Sequence, residues 1–460
     1  MVADAAEDLE ELRWHIEHVQ ARLGALRPLP DGPAASVRAE LERQVAALGR
    51  ALDADRAPGP GAPETPPLVR HQGGLRQLYQ ALALLETAPD WHSSPGSLEP
   101  PIRDLTPLSH VPGFNDYQRG FLPWLGAHEQ HFLRTSQPAL AGRALLCSSG
   151  MGAIQTVLQL VLARARRLLL GRRTYYETQT LLALGGTRAR LRPLDEAEPR
   201  LEALVDRIRE VDAIFADTIT LDREALPLDV PRLYRAIEAA LAASGRAEIE
   251  LVLDNTVPGP ERPIPPPPPG VRLYVVESLL KSYQAGLDLA AAGMLIVVAS
   301  ADAARDASLV HDLEVLRSTN GTNLAPYNAR LLPLLPRDRI LARLARQSRN
   351  AALLADGLRD RCEVTRVPHA GLVFCPHPRA AQLLSVIELL ALARRVRIVR
   401  GTSFGFNDTR VALVPGLEDQ VRFACGMEHA AAAGALVRLV RQAVEAVEDP
   451  AVRAACVHLS

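Results

Sequence analysis

Apolar residues recur at helical spacing through residues 4–26, at Leu9, Leu12, Ile16, Val19, Leu23 and Leu26. That spacing predicts an amphipathic helix, which Pro28 and Pro30 bring to an end. Similar periodicity covers residues 36–52 and 74–87, with Ala57-Pro58-Gly59-Pro60-Gly61-Ala62-Pro63 as a linker between them. From residue 144 the pattern changes. Short apolar runs at 144–147, 167–170, 213–216, 250–253, 273–276 and 294–298 alternate with helical segments at 154–165, 201–210 and 231–243. Such alternation predicts a mostly parallel sheet with helices on its faces.

A five-proline run, Pro265 to Pro269, precedes the 273–276 strand as a stiff polyproline connector. After Leu324-Ala325-Pro326 the chain is helical to about residue 359, interrupted near Pro333 and Pro336. Strand-like segments follow at 364–375, 397–399, 410–414 and 421–424, and a terminal helix at 429–447. The expected organisation is a helical extension (1–110), a large α/β domain (111–320) and a smaller C-terminal α+β domain (321–460) that closes over the sheet's carboxyl edge. The amphipathic helices of the extension are expected to pack on the main body or on another subunit.

Composition adds limits to that picture. The chain has 460 residues, 48% of them hydrophobic, with a formal net charge of −1. No basic excess favours nucleic acid or an anionic membrane as partner. The acidic start, Met1-Val2-Ala3-Asp4-Ala5-Ala6-Glu7-Asp8, does not read as a secretory or transit signal, and no apolar run is long enough to span a bilayer. Cys147, Cys362, Cys375, Cys425 and Cys456 form no C-x-x-C pair and read as reduced thiols of a cytoplasmic protein without a metal site.

Lys281 is the only lysine among the 52 lysine and arginine residues. Arginine replaces lysine as a surface charge but cannot form an imine, whereas a desolvated lysine can. The run Leu273-Tyr274-Val275-Val276 upstream places Lys281 beyond a strand's carboxyl end, where open α/β sheets bind ligands. A second strand, Leu251-Val252-Leu253, ends in Asp254. A carboxylate there is commonly a cap or turn former. With an imine-forming lysine nearby, it is also the group that would keep a pyridoxal ring's nitrogen protonated. Cys147-Ser148-Ser149-Gly150-Met151-Gly152-Ala153-Ile154 is a small-residue turn between strand and helix, suited to cradle a phosphate ester on backbone N–H groups. Thr174-Tyr175-Tyr176-Glu177 puts aromatics just after a strand in a chain only 4% aromatic. Tyr175 is a candidate to stack on a flat heterocycle and to move a proton, with core packing as the alternative. Tyr117 and Arg119 sit in a polar loop that could bind an anion or be a solvated turn.

The ordered set resembles the Cys/Met-metabolism (transsulfuration) family of pyridoxal-phosphate enzymes, which includes methionine γ-lyase and the cystathionine synthases and lyases. It consists of Tyr117-Gln118-Arg119, Ser149-Gly150-Met151, Tyr175, Asp254-Asn255-Thr256 and Ser278-Leu279-Leu280-Lys281. The similarity continues through Asn323-Leu324-Ala325-Pro326-Tyr327-Asn328-Ala329 and Val421-Arg422-Phe423-Ala424-Cys425-Gly426-Met427-Glu428. It implies the fold-type I architecture, with pyridoxal 5'-phosphate as cofactor and the large domain as its binding unit. By resemblance, Lys281 carries the cofactor and later shuttles protons, and Asp254 pairs with the ring nitrogen. Ser149, Gly150, Met151 and Ser278 hold the phosphate, while Tyr175 stacks on the ring. Tyr117 and Arg119 reach a neighbouring subunit's phosphate, which implies a homodimer or homotetramer with shared active sites. Ser403 and Arg422 hold the α-carboxylate of an amino-acid substrate.

Cofactor-handling residues mostly match the family, with two exceptions, while substrate-handling residues depart from it. Leu280 replaces a threonine, Tyr176 and Glu177 fill a loop that is small in the family, and Asp217-Thr218-Ile219-Thr220-Leu221 lacks the family's asparagine. Phe404-Gly405-Phe406-Asn407-Asp408 is altered, and Arg410 is new there. The expected activity is a lyase that eliminates a small β- or γ-leaving group (thiol, oxygen ester or halide) from a nonstandard L-amino acid of specialised metabolism. The alternatives are γ-replacement or ordinary transsulfuration, an aminotransferase-like reaction with Arg410 as carboxylate anchor, and a non-catalytic assembly protein.

Overall fold

The computed structural model describes residues 2–26, 33–55, 65–87, 125–184, 191–414 and 417–449. In chain order the first elements are α1 (Val2–Ala25), α2 (Pro33–Asp55), α3 (Pro67–Thr87), α4 (Leu125–Ser136), β1 (Gly142–Cys147), α5 (Gly150–Arg164), β2 (Leu168–Gly171), α6 (Tyr176–Leu184) and β3 (Leu191–Leu194). The middle of the chain holds α7 (Leu201–Arg209), β4 (Ala213–Asp217), α8 (Val230–Ser244), β5 (Ile249–Asp254), β6 (Val271–Ser278), α9 (Leu279–Ser282), β7 (Gly293–Val298) and α10 (Ala303–Thr319). Then come α11 (Pro326–Leu331), α12 (Arg337–Leu358), β8 (Thr365–Arg366), β9 (Leu372–Pro376), α13 (Ala380–Arg394), β10 (Val399–Arg400), β11 (Arg410–Val414), β12 (Leu417–Ala424) and α14 (Ala430–Glu448).

The main sheet has seven strands in the order β1-β7-β6-β5-β4-β2-β3. The run from β6 to β3 is parallel, and β7 is antiparallel to both β1 and β6. Strands β4 and β5 are buried at every position, because helices cover both faces, so residues 213–216 and 251–253 read as continuous apolar runs. The second sheet has five strands, β10-β11-β12-β9-β8, with α12, α13 and α14 packed against it. This is the α/β fold with a smaller second sheet that the sequence predicts.

The helical extension does not stand apart. Leu12, Ile16, Val19, Leu75, Leu78, Tyr79 and Leu82 share one hydrophobic cluster with Leu324, Leu331, Leu335, Ile340 and Leu344. Buried ion pairs add to it, Asp8 to Arg346 at 2.6 Å and Glu11 to Arg343 at 2.6 Å. The extension therefore packs on the body of its own chain.

Five elements carry little sequence signal. β3 is a four-residue edge strand containing Pro193, which an edge tolerates. α10 buries a narrow stripe, α13 is apolar almost all round, and both lack the contrast that marks an amphipathic helix. α4 and α6 are short. The Pro333–Pro336 interruption falls between α11 and α12 as predicted. No helix of the described residues is long and apolar enough to cross a membrane. The linker at 57–63 and Cys456 lie outside the described residues.

Candidate active site

Parallel strands deliver their last residues to one edge of the sheet. Asp254 ends β5 and lies in register with Asp217, the last residue of β4. β6 ends at Ser278, and the short turn of α9 carries Lys281 beyond it. This corner is tied together by hydrogen bonds. Thr256 N–H donates to Asp254 at 2.9 Å, and Ser278 N–H donates to the Thr256 hydroxyl at 3.0 Å. Beneath it Glu277 is fully buried and accepts from Ser136 (2.6 Å), Gln137 (3.0 Å), Asn255 (2.9 Å) and the Tyr283 hydroxyl. Burial raises its carboxyl, and these four donors hold the strand end in place.

The two strand-end aspartates are both buried. Burial raises Asp254, while Thr256 and the charge of Lys281 pull the other way. Asp217 stands well above the usual carboxylate range, first through burial and then through the neighbouring Asp254. It accepts from Tyr175 N–H at 3.0 Å, and its other oxygen has no partner among the described residues. Two adjacent buried carboxyls cannot both ionise cheaply, so Asp217 is the one that keeps a proton. Asp254 is left as the member that can pair with a cationic N–H.

Beside this pair, Ser149 caps α5 by accepting from Gly152 N–H at 2.9 Å. A side chain at Gly150 would come within 2.9 Å of the Ser278 Cβ, and one at Gly293 within 2.2 Å of the Ser149 carbonyl oxygen. Gly150 and Gly293 thus let the first turn of α5 lie close against Ser278, an arrangement suited to a phosphate at the helix N-terminus.

Lys281 lies between the two sheets. Its Nζ donates to the Ser403 hydroxyl at 2.6 Å and sits 5.2 Å from the centre of the Phe404 ring. Burial, then Arg422 and Arg410, pull its ammonium down to about 8, against Glu177 and Asp288. The two arginines come from neighbouring antiparallel strands. Arg410 of β11 pairs with Ala424 and Arg422 of β12 with Ala412, so they are diagonal neighbours on one face of the small sheet. Arg422 is 5% exposed, its Nε and Nη2 have no acceptor among the described residues, and burial lowers it to about 10. Arg410 stacks 3.3 Å over the Phe406 ring and reaches Asp288 at 3.5 Å. The phenols of Tyr175 and Tyr176 lie close enough to Arg422 to oppose the effect of burial on it. Their rings meet edge-on at 4.8 Å. Burial, and then Glu177, hold the Tyr175 hydroxyl well above its ordinary value.

Ser149, Gly150, Met151, Tyr175, Asp254, Ser278, Lys281, Ser403, Arg410 and Arg422 therefore border one site, whereas Tyr117 and Arg119 lie outside the described residues. Sequence reasoning missed Asp217, Thr256, Glu277 and Asp288. Asp217 had a usable signal, since its strand ends in an acid as the Asp254 strand does. Asp408 is bound by Arg397, at 2.5 and 3.1 Å, and by Gln72 at 3.2 Å.

The chain matches the profile of a family described as Cys/Met metabolism PLP-dependent enzyme over residues 113–385. Among solved structures, it is similar to cystathionine gamma synthase from Xanthomonas oryzae pv. oryzae, with 17% identity and a TM-score of 0.57 over 79% of this chain and 98% of that one. Methionine gamma lyase from Micromonospora echinospora is 22% identical, with a TM-score of 0.53 over 72% of this chain and 87% of that one. An O-acetylhomoserine (thiol)-lyase of Campylobacter jejuni subsp. jejuni, whose structure carries a pyridoxyl-lysine phosphate, is 18% identical, with a TM-score of 0.56 over 72% and 87%. No curated protein matches the sequence significantly. Pyridoxal phosphate fits the residues present. Lys281 supplies an amine that loses its proton near pH 8, Asp254 a buried carboxyl suited to a ring N–H, and the 149–151 turn with Ser278 a phosphate cradle. By the extent of the profile match, the chain belongs to the Cys/Met metabolism enzymes that depend on pyridoxal phosphate.

Proposed function

We propose that this protein is a lyase that releases a small β- or γ-substituent, such as a thiol, an oxygen ester or a halide, from a nonstandard L-amino acid. The observation that carries the proposal is the grouping at Lys281. The chain's one lysine, its ammonium brought down to about 8, bonds Ser403 beside the buried Arg422 guanidinium, whose Nε and Nη2 have no acceptor among the described residues. Bound pyridoxal phosphate supplies an aldehyde for amine attachment and a ring that spreads carbanion charge.

The protein's own residues do the rest. Lys281, Asp254, Ser149, Gly150, Met151 and Ser278 hold the cofactor. Arg422 presents Nε and Nη2 as a fork to the substrate's α-carboxylate, with the Ser403 hydroxyl beside it. Once free, the Lys281 amine removes the Cα proton and, for a γ-substituent, a Cβ proton. Tyr175 stays protonated at neutral pH and so delivers its phenolic proton to the departing atom. Tyr176 and Glu177 narrow the substrate side, and Arg410, held by Phe406 and Asp288, sets which side chain is accepted.

Turnover and spectral titration of the holoenzyme with a panel of β- and γ-substituted amino acids test this. Elimination to a 2-oxo acid is expected for small leaving groups, with cystathionine a poor substrate. Comparable rates of cystathionine cleavage or synthesis would return the protein to ordinary transsulfuration. A homo-oligomer with shared sites, in which Tyr117 and Arg119 reach a neighbour's phosphate, completes the proposal. Mixed Arg119→Ala and Lys281→Ala subunits should regain activity, and none in a proven heterodimer would place each site within one chain.

A further inference from the structure

Helix α3 lies outside the residues matched to the family, yet it touches the two loops that enclose Lys281. Gln72 and Arg76 stand one turn apart and share a helix face. Gln72 Nε2 donates to Asp408 at 3.2 Å, and its oxygen accepts from Asn407 at 3.3 Å. Arg76 Nε donates to the Leu287 carbonyl oxygen.

Both loops lie flush against the site. Gly405 has φ +86, and a side chain there would fall 1.5 Å from the Lys281 carbonyl oxygen. The 403–408 segment therefore rests on the lysine's own backbone while Ser403 and Phe404 face its amine. Gly286 has φ +67, and a side chain there would meet Asn407 Oδ1 at 2.5 Å, so the second loop rests on the first. Next along it, Asp288 sits in the left-handed region at φ 54 and meets Arg410. Asn407 is fully buried and is gripped again from behind. It accepts from Arg343 at 2.6 Å, and Arg343 is held by Glu11 of α1 at 2.6 Å.

We propose that Gln72 and Arg76 are positioning residues of the active site, through which the N-terminal helices clamp the 403–408 and 284–288 loops over Lys281. Neither residue touches the lysine. They act through Asn407, Asp408 and the Leu287 carbonyl, and so fix Ser403, Phe404 and the Asp288–Arg410 contact. The inference rests on Lys281 being the reactive amine, and does not depend on which substituent leaves.

A clamp that keeps water from Lys281 is read by the amine itself. The charged groups facing it are Arg422 and Arg410 of the small sheet, Glu177 of α6, Asp288 of the second loop and Asp254 at the end of β5. In cofactor-free protein, labelling with trinitrobenzenesulfonate is followed against pH on the peptide that holds Lys281. The wild-type midpoint is expected near pH 8. In Gln72→Met combined with Arg76→Met, which keep bulk and remove the hydrogen bonds, the midpoint rises by about one unit as water and mobility reach the amine. Labelling at pH 7.5 then falls about tenfold. Should the double variant not fold, Gln72→Met alone is expected to shift the midpoint in the same direction. A lowered melting temperature with an unmoved midpoint would make α3 an anchor only and overturn the clamp. A wild-type midpoint above pH 10 would instead overturn the assignment of Lys281, so the two failures are told apart.

Discussion

Removing the Arg422 guanidinium should cost activity without costing stability. The group is 5% exposed, and two of its nitrogens have no acceptor among the described residues. Its drop from 12.5 to about 10 corresponds to about 3 kcal/mol spent on keeping a buried charge desolvated. Arg422→Met keeps most of the volume and removes that charge, so the melting temperature of the substrate-free holoenzyme should hold or rise. With substrate present the balance reverses. Two charge-assisted hydrogen bonds to a carboxylate, at about 1.5–3 kcal/mol each, make the expected loss in kcat/KM at least about a hundredfold. Arg422→Lys should recover only part of it, because an ammonium cannot make the fork. Scanning calorimetry and steady-state kinetics on the same preparations decide the matter. A fall in melting temperature with kcat/KM kept within about fivefold would show that Arg422 holds the fold and not the substrate.

The strand-end aspartates should separate in the same way. Asp254→Asn is expected to cut kcat by about a hundredfold or more, whereas Asp217→Asn, at the carboxyl that burial and its neighbour push toward the neutral form, should stay near wild type. Equal losses in the two would refute the division of roles. Acid should loosen the helical extension. Burial lowers His15, which meets the Tyr79 hydroxyl at 2.8 Å, and lowers His18 to about 3. Both folded values lie below the unfolded 6.5, so the unfolded chain binds protons first and stability, full above pH 6.5, is lost as pH falls toward 3. His18 alone contributes about 1.4 kcal/mol per pH unit in that window. Limited proteolysis of α1 should accelerate between pH 7 and 5, and an unchanged rate would contradict the coupling.

The main sheet was legible because parallel strands buried on both faces leave continuous apolar runs, and their ends named Asp254 and Lys281. Strand β6 shows the limit. Glu277 breaks its apolar run like a solvent-facing acid, yet it is buried among donors at positions 136, 137, 255 and 283, which no local pattern connects to it. Asp288 and Arg410 lie more than a hundred residues apart and meet only after the two sheets face each other. Gln72 and Arg76 look like ordinary surface positions of an amphipathic helix, and their role appears only once the extension docks beside 403–408. Helix α13 was lost for another reason, since an almost wholly apolar segment carries no periodicity.

Covalent capture at the chain's only lysine tests the account most directly. Borohydride reduction of the holoenzyme, followed by peptide mapping, should place the pyridoxyl group on Lys281 alone. Lys281→Ala should show neither the label nor the yellow colour, and should have no turnover. Label at any other position, or an active Lys281→Ala enzyme, would contradict it.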